Sequence, residues 1–374
     1  MKKLLIATAA LAMVAGTAQA QSTVEVYGAV GASTNSYKTN GSDVANQFQN
    51  GARDHLGTTN LGFRGTEDLG GGNKAFFTLE GDLSMSGGLG ANPGVPTVAT
   101  ASGTPAAHAV TANATAPGQN TFNRQAHVGL TTKFGTVSFG RQNDSVKDIE
   151  GLAQVYNLSD NLHNNTAVGN RIANAYKYAT PTIAGLSATY TYSNNPTNLD
   201  MTAADGAVTH NSFAVRYKVP FNGGIDLGYA QGEESTTAGN TANDIKTTRI
   251  TARTKVMGVD VGYAYTENKN KAAGSNKNDS NLISVSKAFG AFEVKAHYIT
   301  ADAQGTVVDS ASTGSDSGYA KYKGDGYGLM GVYNLSKRTA AYAGYASFDA
   351  DDVAGAAANN NDQKVTTIGL IHKF

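Results

Sequence analysis

Apolar and polar residues alternate in short runs along most of this chain. Val24, Val26, Gly28 and Val30 are interleaved with Glu25, Tyr27 and Ala29, and Leu61 and Phe63 with Asn60, Gly62 and Arg64. Ala75, Phe77 and Leu79 alternate with Lys74, Thr78 and Glu80 after a glycine-rich turn at 68–73. A period of two places successive side chains on opposite faces of a strand. Runs of this kind, bounded by turn residues, fall at 24–30, 60–64, 74–80, 122–131, 136–142, 171–179, 186–193 and 212–219. They continue at 225–233, 245–256, 259–267, 282–288, 291–300, 326–334, 339–348 and 364–374, sixteen strands in all. The connections alternate too, with turns of a few residues set against long polar segments at 34–58, 87–121, 143–170 and 301–324.

Strands that are apolar on one side and polar on the other for a whole chain suit a sheet between hydrocarbon and water. In hydrocarbon every backbone N–H and C=O must be paired within the protein, so such a sheet has to close on itself. The expected fold is therefore all-β, a 16-stranded antiparallel transmembrane barrel with short turns at the periplasmic rim and long extracellular loops. Side chains cannot fill a lumen of that width, which consequently holds water. Arg216, Lys218, Arg249, Thr251, Arg253 and Lys255 fit the lumen face. Val215, Tyr217, Ile250, Ala252 and Val256 fit the outer one.

Composition agrees with this pattern and narrows it. Among the 374 residues no later run approaches the roughly 20 apolar residues of a membrane helix, and mean hydropathy is −0.30. The first residues stand apart: Lys2 and Lys3, an apolar stretch from Leu4 to Val14, then Ala18-Gln19-Ala20. That order predicts a secretory signal peptide over 1–20, with 21–374 forming a single barrel. The chain carries 29 basic and 29 acidic residues, and losing the two lysines leaves a formal charge of −2. With no basic excess, nucleic acid is not an expected partner. There is no cysteine, so thiolate metal sites and disulfides are excluded. With no tryptophan, the interfacial girdle falls to 18 tyrosines and 13 phenylalanines.

The last strand carries Ile368, Leu370, His372 and the terminal Phe374 on one face. A chain ending in phenylalanine after apolar residues at even spacing resembles the C-terminal signal of bacterial outer-membrane proteins. Val24-Glu25-Val26-Tyr27-Gly28 resembles the opening strand of Gram-negative general porins of the neisserial and Burkholderia type. The segment from Leu61-Gly62-Phe63-Arg64-Gly65 to Gly70-Gly71-Gly72 is similar to that family's second strand and first turn. Arg124-Gln125-Ala126-His127-Val128-Gly129-Leu130 and Phe139-Gly140-Arg141-Gln142 match its fourth and fifth strands. The resemblance implies a homotrimer in the outer membrane, each barrel a water-filled diffusion channel for ions and small hydrophilic solutes. The implied partners are further copies of the chain, outer-membrane lipids and lipopolysaccharide, and the passing solutes.

The resemblance also implies that the third extracellular loop, 143–170, folds into the barrel and narrows the pore. It carries Asp144, Asp148, Glu150 and Asp160, with Lys147 as the one cation before Arg171. Ser145 followed by Asp148 reads as a helix start. Ile149, Leu152 and Tyr156 then share a face suited to the barrel wall, and Asp144 and Asp148 share one open to the lumen. A solvated acidic surface loop is the alternative from the residues alone. The facing wall should be basic, with Arg64, Arg124 and Lys177 as candidates and Arg141 and Arg171 flanking the loop. The family often carries an arginine where this chain has Asn60.

Other chemistries find little support. Seven histidines are scattered without metal-type spacing, no strand offers a convincing Ser/His pair, and neither a catalytic site, a metal nor a cofactor is expected. Gly70-Gly71-Gly72 lacks the helix and Lys-Ser/Thr of a phosphate loop. Asp349, Asp351 and Asp352 could gather calcium, although a solvated acidic loop explains them as well. The Ala/Thr/Gly-rich stretch 90–119 leaves open a structural or adhesive barrel plugged by its own loops.

Overall fold

A computed structural model describes residues 22–39, 42–49, 56–84, 88–89, 121–153, 171–194, 208–219, 224–236, 244–270, 277–304, 323–351 and 362–374. Within them lie β1 (Thr23–Thr39), β2 (Ser42–Gln49), β3 (Asn60–Gly70), β4 (Asn73–Ser84), β5 (Gly88–Leu89), β6 (Gln125–Thr132) and β7 (Gly135–Asn143). Next come β8 (Arg171–Ala179), β9 (Leu186–Ser193), β10 (Val208–Lys218), β11 (Ile225–Thr236), β12 (Ile245–Val256) and β13 (Val259–Asn270). β14 (Lys277–Phe289), β15 (Phe292–Gln304), β16 (Lys323–Asn334), β17 (Thr339–Asp351) and β18 (Gln363–Lys373) complete the sheet. Sixteen form the wall of a closed antiparallel barrel. β2 is a hairpin partner of the upper half of β1, and β5 a two-residue addition to β4. The signal-peptide expectation, the stretch 90–119 and Asp352 fall outside the described residues.

The seam shows how closure is achieved. β1 pairs with β3 over Thr23–Ala29 and, on its other side, with β18 over Ala29–Thr39. Phe374 finishes the job beyond the last strand: its N–H donates to the carbonyl of Gly28 (3.0 Å), whose own N–H donates back to Phe374 (3.2 Å). The terminal phenylalanine is therefore a structural residue of the seam, and no row of backbone groups is left open there.

The period of two is realised in the burial pattern. Phe213, Val215 and Tyr217 on β10, Leu227 and Tyr229 on β11, and Ile283 and Val285 on β14 are exposed on the outer surface. Their neighbours Ser212, Ala214, Ala230, Ser284 and Ser286 point inward and are buried. Aromatic rings cover backbone at glycines directly across the sheet: Tyr27 over Gly62, Phe77 over Gly65, Phe76 over Gly129 and Tyr342 over Gly369. Part of the inner wall is apolar, with Ala29, Met330, Val332, Tyr342 and Ile371 in one cluster.

Most strands that differ from the sequence reading run longer than it predicts, β6 being an exception that starts at Gln125 and not at Phe122. The alternation predicts a loop over 34–58, yet β1 runs to Thr39 and β2 occupies part of the remainder. β14 likewise begins at Lys277, five residues before the apolar alternation does. Backbone pairing holds a strand together beyond the membrane, where apolar side chains are no longer required.

A Cβ at Gly28 would collide with the carbonyl oxygen of Asn60 and sit 2.8 Å from the Phe374 ring. Gly28→Val should therefore spoil closure. The folded, heat-modifiable band on unboiled gels is expected to drop sharply, while Gly151→Ala, with open space around it and no positive φ, should fold nearly as the parent does.

Candidate functional site

At the end of β7 the chain turns into the barrel. Asp144 caps a single helical turn, α1 (Ser145–Asp148), its Oδ1 accepting from the backbone N–H of Lys147 (2.8 Å). A 3₁₀ turn, Glu150–Leu152, follows. Ser145 bonds Thr191 of β9 (3.0 Å) and Ser212 of β10 (3.1 Å), so the helix leans on the inner wall from its first residue. Val146, Ile149 and Leu152 then pack on Ala214 and Ala230. Burying three such side chains contributes on the order of 5 kcal/mol. Further on, Ser284 of β14 donates to the carbonyl of Ala153, and Ala153 packs with Ala264, Leu282, Ile299 and Phe348.

This path requires a bed of small side chains on the wall. A Cβ at Gly228 would lie 3.1 Å from Ile149 and Leu152, and one at Gly262 would lie 2.8 Å from the carbonyl of Ala153. Gly228, Ala230, Gly262 and Ala264 are inward positions of β11 and β13, and their smallness admits the loop. Residues 143–153 thus lie inside the barrel. Asp160 and Tyr156 are outside the described residues.

The acidic residues of the loop are engaged by the wall that carries it. Asp144 is a correction to the sequence reading, which has it open to the lumen: it is fully buried, because its carboxylate is the helix cap and lies 3.4 Å from the equally buried ring of His210. His210 reaches on to Glu234 (3.2 Å) and Ser212 (3.1 Å). The helix accordingly begins one residue earlier than the Ser145–Asp148 pairing suggests. Asp148 does face the lumen side, with 27% of its side chain accessible, but it is bound by Lys177 (2.6 Å) and by the Thr189 hydroxyl (3.1 Å). Lys177 also donates to the carbonyl of Asn143 (2.9 Å). Lys177 is therefore inward, as parity expects, yet it fastens the root of the loop and does not stand opposite it. Glu150 pairs with Lys147 (2.9 Å) and lies 3.7 Å from Arg249 of β12.

The remaining cations gather on β3–β8. Arg124, just ahead of β6, binds Glu80 through Nε and Asp82 through Nη1 (2.9 Å), and Glu80 also accepts from Tyr27 (2.9 Å). Arg141 donates to the carbonyl of Asn123 (2.5 Å). Arg171, first residue of β8, lies within electrostatic range of Arg124, Arg141, Glu80 and Asp82, and its buried Nε has no hydrogen-bond partner among the described residues. Arg64 sits apart, exposed on the lumen face, pairing with Glu25 (2.8 Å) under the ring of Tyr27. Asn60 lies directly across from Asp82. Glu80, Asp82, His210 and Glu234 are not among the sequence candidates, although inward parity marks all four.

Burial raises the Asp148 carboxyl above the ordinary aspartate range, with Lys177 and Thr189 only partly offsetting it. As pH falls, Asp148 takes up its proton before an ordinary aspartate near about 4 would, and Lys177 is left uncovered. The reversal potential in a salt gradient should move toward anions over that weakly acidic range. Asp148→Asn should start from the shifted value and lose that part of the response. A second expectation tests the bed: Gly262→Val should push the loop off the wall, giving a folded barrel with altered and noisier single-channel conductance.

Comparison with known proteins places this geometry. The family model described as Gram-negative porin matches residues 7–353. Outer membrane porin protein 32 of Delftia acidovorans is similar, 29% identical with both chains fully covered. An outer membrane porin protein of Bordetella pertussis is 28% identical over 55% of this chain and 51% of its own length. Among solved structures, an anion-selective porin from Comamonas acidovorans superposes with a TM-score of 0.67 at 22% identity, covering 95% of this chain and all of that one. OmpF of Salmonella typhi superposes at 0.59 with 15% identity, covering 94% and 97%. The chain belongs to the Gram-negative porin family and is a general diffusion channel of the outer membrane.

Proposed function

We propose that this channel prefers anions, that its selective zone lies between the inward loop and the arginines of β3–β8, and that it works as a homotrimer after removal of residues 1–20. The observation that carries the selectivity is the imbalance of engaged charge. Asp144 and Asp148 are held by His210 and Lys177 of the wall behind them and Glu150 by Lys147 of the loop itself, with Arg249 of the wall nearby, so they add little negative potential to the water path. Arg124, Arg141 and Arg171 meet two carboxylates, Glu80 and Asp82, while Arg64 is balanced by Glu25. Cations on low-dielectric walls focus positive potential into a narrow lumen and raise the local concentration of anions. A structural relative described as anion-selective supports the same sign, and another, OmpT of Vibrio cholerae, described in a trimer form, supports the assembly. The small polar solutes and ions that pass are the proposed cargo.

Planar-bilayer recordings test this reading. Insertions in trimer-sized steps with an anion-favouring reversal potential are expected, and Arg171→Gln should reduce the anion-to-cation permeability ratio several-fold. Folded protein that does not conduct, or that prefers cations, would overturn it.

A further inference from the structure

Between β2 and β3 the wall is interrupted. β1 faces Gln49 at Ser33 and Asn60 at Ala29, so Val30, Gly31 and Ala32 are all that lies between the two pairings. Ten residues of chain separate Gln49 from Asn60, where a continuous antiparallel strand would need three. Residues 56–59, which lead back into β3, are fastened at Thr59. Its hydroxyl oxygen accepts from the backbone N–H of Gly31 (3.0 Å), and its carbonyl accepts from the N–H of Leu83 on β4 (3.1 Å). Thr59 is fully buried, so its side chain stands in for the strand carbonyl that the wall lacks at Gly31.

From Thr59 back to Leu56 the segment crosses β1 on its lumen side. A Cβ at Gly57 would lie 2.8 Å from Cδ1 of Ile371 on β18. Leu56 packs on the cluster formed by Met330, Val332, Tyr342, Ile371 and their neighbours. These four side chains point into the barrel, yet none is more than 3% exposed. Apolar groups facing a water-filled lumen stay dry only where another part of the chain lies on them. The two inward segments occupy different sectors of the wall. Residues 143–153 rest on β9 to β14, and residues 56–59 rest on β16 to β18 and β1.

We propose that residues 56–59 are a second constriction element, narrowing the pore from the seam side, and that Leu56 is the positioning residue that holds them on the wall. The water path then runs between the acidic loop, this segment and the arginines of β3–β8. Leu56, Gly57, Thr58 and Thr59 carry no charge, so the segment limits the size of a solute and leaves the sign of selectivity to the other two sides. It follows that this role stands whether the channel prefers anions or cations.

The chain has no cysteine, which permits a direct test on the full-length protein in planar bilayers. Thr58 is half-buried between Gly57 and Thr59. In T58C a bulky uncharged thiol reagent should attach and lower single-channel conductance by about a third or more, with the reversal potential unchanged. The control is T66C, at an exposed lumen position of β3 nearer the periplasmic turn, where the same reagent should attach with a much smaller loss. A T58C protein that does not react, or that reacts fully and keeps its current, would overturn the proposal, as would an equal loss in T66C. L56S tests the anchor: open-channel noise should rise, and thiol attachment in L56S/T58C should be several-fold faster than in T58C. A quiet current with unchanged attachment would show that Leu56 does not hold the segment. Should L56S fail to fold, T58C alone decides.

Discussion

In a hydrocarbon medium an unpaired backbone N–H or C=O costs several kcal/mol, and this requirement shapes the whole chain. A sheet with no free edge must close, and here it closes where β1 divides its two sides between β3 and β18. Phe374 and Gly28 exchange the last two backbone hydrogen bonds of that seam. Once the sheet is closed, the two faces have different solvents, and the two-residue period follows as a necessity. The same closure makes a lumen too wide for its own side chains, so a pore exists by default and has to be narrowed by something other than the wall.

What narrows it is a loop that must exchange water for protein on one of its sides. The exchange is favourable because the wall at Gly228, Ala230, Gly262 and Ala264 is stripped to small side chains and receives Ile149, Leu152 and Ala153. Charge does the rest. The acids of the loop are met by His210, Lys177 and Arg249 of the wall and by Lys147 of the loop itself, and the arginines on which the proposed anion preference rests stand near the loop's root, Arg141 on β7 and Arg171 on β8. Removing one partner of a buried pair such as Glu150 and Arg249 would cost about 3–5 kcal/mol, so the charges that the loop buries also hold it in place.

The barrel was legible in the sequence because its cause is local. Alternation, turn residues and the terminal phenylalanine each act over a few positions, and the faces of Phe213, Val215 and Ile250 follow from parity alone. Strand ends were not legible, since Ser42–Gln49 and Lys277–Asn281 pair through the backbone without an apolar face to announce them. The site was half legible for a related reason. Parity placed Lys177 and Arg64 in the lumen, but which side of the loop Lys177 occupies depends on how β7 and β8 align. That register shifts between Gly140 and Gln142, near Asn174 with its positive φ of 51°. Nothing local connects Asp144 with His210, and only the folded register brings the two together.

The same separation of local and distant causes explains why the two surfaces carry charge differently. Inside, low dielectric makes an unpaired ion costly, and every described acid of the loop has a basic residue beside it, on the wall or on the loop itself. Outside, on β12–β14, like charges sit side by side in register. There the side chains are partly exposed, so solvent screens the repulsion, and pairs of opposite charge, Lys269 with Glu267 and Lys277 with Asp279, offset part of what remains.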